Sequence, residues 1–160
     1  MISLPVRLLI TLCFSLWLAG CGPGDSRPQL TDSHGNRIDT TGHWLAVNYW
    51  ATWCKPCRVE VPEFNRLHGE LQGQPVLMLG INFDELEDES LQEAAASLGI
   101  EFPVLTNESA RQLKLPGTTG LPATLIVDPA GRLRARLLGE QNRDHLVSAL
   151  QQLQALPDDF

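Results

Sequence analysis

Two kinds of apolar spacing divide this chain. Leu45 to Trp50 reads Leu-Ala-Val-Asn-Tyr-Trp, apolar with little alternation, and Val76 to Ile81 has the same character. Such runs suit strands covered on both faces, as in the parallel part of a sheet. Between them Val61, Phe64, Leu67 and Leu71 recur at spacings of three, three and four, which predicts an amphipathic helix that ends near Gly73. A right-handed crossover through that helix joins the two strands. A second helix is expected from about Glu87 or Ser90 to Leu98, stopped at Gly99, and its acidic start suits the helix dipole. Phe102 to Thr106 is expected as a short strand, and Ser109 to Leu115 as a short helix closed by Pro116-Gly117. Leu125 to Asp128 and Leu133 to Leu138 then pair about the turn Asp-Pro-Ala-Gly-Arg, and Leu146, Val147, Leu150 and Leu153 give a last helix its apolar face. Ahead of these elements, Gln29 to Thr31 and Arg37 to Thr40 flank Asp-Ser-His-Gly-Asn as a small edge hairpin, with His34 and His43 in its loops. The pattern is α/β: a central mixed sheet flanked by helices, with an extra βα element and an N-terminal hairpin.

The length of 160 residues suits one domain, expected over residues 29–156, followed by a frayed tail at 157–160. A net charge of -7 with no block of Lys or Arg argues against nucleic-acid binding, which needs a basic face. The acidic run from Asp84 to Glu89 lacks ligand spacing and is expected as a solvated helix start.

The first twenty residues have the pattern of an export signal. Arg7 is their only charge, Leu8 to Leu18 form an apolar core too short to span a bilayer, and Ala19-Gly20 follow. Leu-Ala-Gly-Cys, ending at Cys21, resembles the lipobox of bacterial lipoproteins, which implies acylation of Cys21 as the first mature residue. More than one acyl chain is needed for stable attachment, and the multiply acylated cysteine of lipoproteins supplies them. Residues 21–28, rich in Gly, Pro, Asp and Ser, would then space the domain from the membrane. The expected location is the periplasmic side of a bacterial membrane.

The densest chemistry lies at Trp-Cys-Lys-Pro-Cys, residues 53–57, where the first strand gives way to the helix. Two thiols one helical turn apart suit reversible disulfide exchange. Pro56 is tolerated in a first turn, so Cys54 falls at the helix N-terminus, where free N–H groups and the dipole favour a thiolate. Cys57 lies one turn further in. A four-cysteine zinc site lacks its second pair, because Cys13 and Cys21 both sit in the export segment; a haem-attachment site lacks its histidine, position 58 being Arg58. A purely structural disulfide would close too short a loop to stabilise much.

Asn-Tyr-Trp-Ala-Thr-Trp-Cys-Lys-Pro-Cys-Arg-x-Glu-x-Pro from Asn48, the βα element at Phe102 to Leu115, and Gly-Leu-Pro-Ala-Thr-Leu-Ile-Val-Asp-x-x-Gly from Gly120 together resemble the TlpA/ResA-type lipoprotein thiol-disulfide oxidoreductases of the thioredoxin superfamily. The resemblance implies a thioredoxin-like fold, Cys54 as attacking thiol and Cys57 as resolving thiol. It also implies that Pro122 is cis and faces the cysteines, that Leu121 pairs its backbone with an extended substrate segment, and that Trp53 forms surface beside Cys54, though simple packing would equally account for that tryptophan. Pro62 matches a helix-kinking proline without a catalytic role. Thioredoxin carries a buried aspartate where this chain has Asn48, which cannot ionise. Glu60, three residues after Cys57 and on the same helix face, matches a glutamate of the lipoprotein-like subgroup, and partial burial would raise its pKa and let it relay protons for Cys57.

The activity so implied is reduction of disulfides in exported proteins, apocytochrome c among the candidates and hence cytochrome c maturation, with electrons from a membrane dithiol donor. No cofactor or metal is expected, and a monomer is. A disulfide-forming oxidase or isomerase shares the same residues and differs in redox potential, and a copper-carrying assembly module would need a further ligand beyond the two cysteines. The peroxiredoxin pattern Thr-x-x-Cys is absent, since Ala51 stands three residues before Cys54.

Overall fold

A computed structural model describes residues 29–157 and 160; the export segment, Cys21 and the spacer at 21–28 lie outside the described residues. Strands β1 (Leu30–Thr31) and β2 (Arg37–Ile38) form the N-terminal hairpin. Both are shorter than the sequence predicts, β1 starting one residue later and β2 stopping two residues earlier; between them the Asp32 carboxylate accepts the backbone N–H groups of His34 and Asn36 and ties the turn. The main sheet contains β3 (Trp44–Trp50), β4 (Val76–Asn82), β5 (Ala123–Val127) and β6 (Leu133–Leu138) in the order β4-β3-β5-β6. β3 runs parallel to β4 and antiparallel to β5, so the sheet is mixed as expected.

Helix α1 (Lys55–Glu70) connects β3 to β4. It is followed by α2 (Asp88–Leu98), closed by Gly99 at φ 68°, a left-handed cap that glycine adopts without a Cβ clash. α3 (Asn107–Gln112) and α4 (Arg143–Gln152) are opened by Thr106 and Asn142, whose side chains accept the N–H groups of Ser109 and His145. One face of the sheet packs Ala46, Met78 and Ile126 against Phe64 and Leu67 of α1 and Leu146 and Leu150 of α4. The other packs Val47, Leu79 and Leu125 with Leu30 and Leu105. Each fully buried side chain of this size contributes about 1.5–3 kcal/mol.

Other expectations change as well: the short helix expected over Ser109 to Leu115 runs instead from Asn107 to Gln112, since Thr106 caps it and starts it two residues earlier. Phe102 to Thr106 is not a strand: it makes only isolated bridges, Gly80 with Val104 and Asp32 with Leu105. Pro103 lacks an N–H and so interrupts any ladder, yet its carbonyl accepts the Gly80 N–H at 2.8 Å and the Leu105 N–H reaches the Gly80 carbonyl at 2.8 Å. β4 is therefore the last strand of the ladder, with its outer edge covered by this segment. Gly80 permits the close approach, since an added Cβ would lie 3.1 Å from Phe102, 3.1 Å from Trp50 and 3.2 Å from Val104. The tail also departs from a fully frayed end: Phe160 packs against the α1/α4 core, under the guanidinium of Arg143.

Candidate active site

The C-terminal end of β3 delivers Trp50 and Ala51 into a buried cluster that includes Cys54, Cys57, Leu91 and Val104. The Ala51 carbonyl accepts the Cys54 N–H, which turns the chain into α1. Cys54 is the N-cap of that helix, and its sulfur accepts the Cys57 N–H at 3.2 Å. This places the first sulfur where unpaired amides and the helix dipole stabilise negative charge. Cys54 and Cys57 are joined by a disulfide; Cys57 is fully buried and Cys54 only 3% exposed.

Leu121 packs against the same cluster, and the Leu121–Pro122 peptide is cis. Pro122 is buried and its carbonyl accepts the N–H of Gly139, whereas the backbone of Leu121 has no hydrogen-bond partner among the described residues. Trp53 is 62% exposed, so it is surface rather than core. Its indole N–H is held by both carboxylate oxygens of Asp84, at 3.1 and 3.0 Å, and its ring meets the exposed Phe83 edge-on at 6.1 Å. Asp84 therefore orients the tryptophan, and the acidic run is not uniformly a solvated helix start. Lys55 is exposed beside the pair.

Glu60 is 1% exposed, more deeply buried than the sequence reading anticipates. It lies one turn from Cys57 on the same face of α1, a spacing that sets Cβ atoms about 5–6 Å apart. Its carboxylate is held by two donors: Asn48 Nδ2 reaches Oε1 at 2.7 Å, and the backbone N–H of Gln141 reaches Oε2 at 3.1 Å. Burial pushes the pKa of Glu60 up to about 7; the two hydrogen bonds oppose that rise and the nearby Glu140 reinforces it. The Asn48 Nδ2 also approaches Thr124 Oγ1 at 3.3 Å.

Sequence reasoning names Cys54, Cys57, Glu60, Leu121, Pro122 and Trp53 as candidates; the fold gathers Cys54, Cys57 and Leu121 in one buried cluster, with Pro122 next to Leu121, Trp53 on the surface next to Cys54 and Glu60 one turn along α1. Sequence reasoning misses Gln141, Thr124 and Asp84. Thr124 sits within the Gly-Leu-Pro-Ala-Thr stretch and opposite Asn48 in the β3–β5 register, a pairing that a correct hairpin alignment would have exposed. Cys21 lies outside the described residues. Among the described residues, no group of three or more His, Cys, Asp or Glu is arranged to hold a metal ion.

Comparison with known proteins agrees with this chemistry. The model of the AhpC/TSA family matches residues 28–136. The chain belongs to the AhpC/TSA family. The thiol-disulfide oxidoreductase ResA of Bacillus anthracis is 28% identical over 127 residues, covering 78% of this chain and 73% of that protein. Among solved structures, StoA from Bacillus subtilis superposes with a TM-score of 0.64 at 16% identity, over 76% of this chain and 93% of that one. The exposed lipoprotein thioredoxin of Streptococcus pneumoniae does so with a TM-score of 0.61 at 21% identity, over 78% and 98%. The fold is the thioredoxin fold, and this family member is a thiol-disulfide oxidoreductase with a Cys54–Cys57 pair. Among the described residues no helix is long and apolar enough to cross a membrane.

Proposed function

We propose that the protein reduces disulfides of exported proteins while tethered through Cys21 to the periplasmic side of a bacterial membrane. The observation that carries the exchange chemistry is the buried Cys54–Cys57 pair with Glu60, a buried carboxyl whose pKa is pushed up to about 7, one turn from Cys57. The reducing direction follows the resemblance to the ResA-type proteins, and the potential of the pair decides it. A reductase finishes each turnover by deprotonating its resolving thiol, and Glu60 is placed to take that proton.

The steps balance without any cofactor. The Cys54 thiolate attacks one sulfur of the client disulfide, and the other client sulfur leaves as a thiolate. Cys57 gives its proton to Glu60 and attacks the Cys54 sulfur, so the Cys54–Cys57 disulfide forms and the second client thiolate leaves with both electrons. A membrane dithiol donor then reduces the pair again. Trp53, held by Asp84, offers an apolar surface beside Cys54, and the unpaired Leu121 backbone takes an extended client segment by strand addition. Apocytochrome c before haem attachment is a candidate client. The tether is supported by Leu18 to Cys21 and by the lipoprotein nature of the pneumococcal neighbour.

The test is the potential of the Cys54–Cys57 couple, equilibrated against glutathione or dithiothreitol. A reductase should lie near the value of thioredoxin, about -270 mV, while a value near about -120 mV, that of a strong oxidant, would overturn this direction.

A further inference from the structure

The hydrogen bonds around Glu60 suit its ionised form only. Both of its oxygens accept, from Asn48 Nδ2 and from the backbone N–H of Gln141. A backbone N–H cannot accept in return and its bond is strongest to the unprotonated oxygen, so a proton arriving on the carboxylate is disfavoured on Oε2 and favoured on Oε1, facing Asn48. There it meets the Asn48 NH2 group, donor against donor. On the same side chain, Asn48 Oδ1 is fully buried and has no partner among the described residues. An acceptor without a donor thus sits one half-turn of the amide from a donor that loses its acceptor whenever Glu60 is protonated.

We propose that the Asn48 side-chain amide turns over with the charge of Glu60, showing its NH2 to the carboxylate and its oxygen to the carboxylic acid. Thr124 makes both states tolerable. Its hydroxyl, 3.3 Å from Nδ2, accepts from the amide in one state and rotates to donate to Oδ1 in the other. Asn48 is then a positioning residue: it holds the Glu60 proton on the oxygen nearest β3 and matches its hydrogen bonding to whichever charge state the exchange step leaves behind. Besides the pair itself, Glu140 is a charged group that acts on Glu60. Cys57 faces it along α1, Glu140 approaches from the β6–α4 loop, and Arg143 of α4 is occupied by Glu70 and Asp144. The switch presupposes Glu60 as the group that exchanges a proton with Cys57, but it can be observed without turnover.

The experiment follows the Glu60 carboxyl carbon and the Asn48 side-chain NH2 by NMR in the isotope-labelled, full-length oxidised protein, from about pH 5 to about pH 9. The expected result is one shared midpoint near 7. At high pH the NH2 protons show contacts to the Thr124 methyl group and a charge-assisted downfield shift; at low pH both are lost. In Glu60→Gln the Gln141 N–H keeps the new amide's oxygen, so its NH2 faces Asn48, and the low-pH pattern should persist at every pH. Asn48 resonances that stay put while Glu60 titrates would overturn the switch, as would a Glu60 carboxyl that does not titrate in this range. A switch that operates while Glu60→Gln leaves the pH dependence of client reduction unchanged would support the amide turnover and overturn the proton-relay role instead.

Discussion

Replacing Glu60 by Gln should stabilise the oxidised protein, and increasingly so as the pH rises. Glu60 is 1% exposed, and its pKa is pushed from 4.5 to about 7, chiefly by burial. Each pH unit of that displacement corresponds to about 1.4 kcal/mol, so the ionised side chain destabilises the native state by about 3 kcal/mol. The sign follows from proton binding. Between pH 4.5 and about 7 the folded carboxyl holds a proton that the unfolded chain has released, so stability falls as the pH rises through this window and levels off above it. Gln keeps the shape and an acceptor for the Gln141 N–H without the charge, and resembles the protonated carboxyl. The difference in unfolding free energy between Glu60→Gln and wild type should therefore widen by about 2–3 kcal/mol in favour of the variant between about pH 5 and about pH 8. Urea unfolding at both pH values measures it, with the disulfide intact so that thiol ionisation does not contribute and with unchanged m-values as the check on two-state behaviour. Every other titrating group is common to both proteins and cancels. A gap that stays constant to within about 0.5 kcal/mol would refute the raised pKa and the proton chemistry built on it.

Other substitutions test other parts of the account. Cys57→Ser should retain attack by Cys54 but trap the client as a mixed disulfide, visible on non-reducing gels, whereas Cys54→Ser should trap nothing and abolish turnover. Trp53→Ala should change stability by less than about 1 kcal/mol because the ring is surface, yet raise KM for a protein disulfide while leaving reduction of a small disulfide nearly unchanged. Gly80→Ala should destabilise by about 1–2 kcal/mol in thermal or urea unfolding, because the new methyl group meets Phe102, Trp50 and Val104 on three buried sides.

The parts of the fold legible in the sequence are those where periodicity and turn chemistry act locally. The runs ending at Trp50 and Ile81 and the spacing from Val61 to Leu71 locate β3, β4 and α1 because both faces of those strands and one face of that helix are buried. Phe102 to Thr106 reads as a strand because it is a short, largely apolar run, but Pro103 removes a donor and leaves only bridges. The cysteine pair was legible from spacing alone. Gln141 was not, because it serves Glu60 through its backbone N–H, a group every residue but proline carries, so its side chain gave no signal. Asp84 was hidden for another reason: it lies 31 residues from the Trp53 indole it orients, and a run of acidic residues reads as solvated until that contact is seen. Asn48 was recognisable as a position that cannot ionise, but its donation to Glu60 depends on the pairing of β3 with α1 in three dimensions.

The central claim is that Cys54 and Cys57 exchange disulfides with Glu60 carrying the proton of Cys57. Its most direct test is the pH dependence of insulin reduction by wild type and by Glu60→Gln under identical donor conditions. The wild-type rate should rise with pH through a limb centred near 7, as Glu60 ionises and becomes able to accept the proton, and Glu60→Gln should lose that limb and turn over more slowly above it. Superimposable profiles for the two proteins would contradict the account.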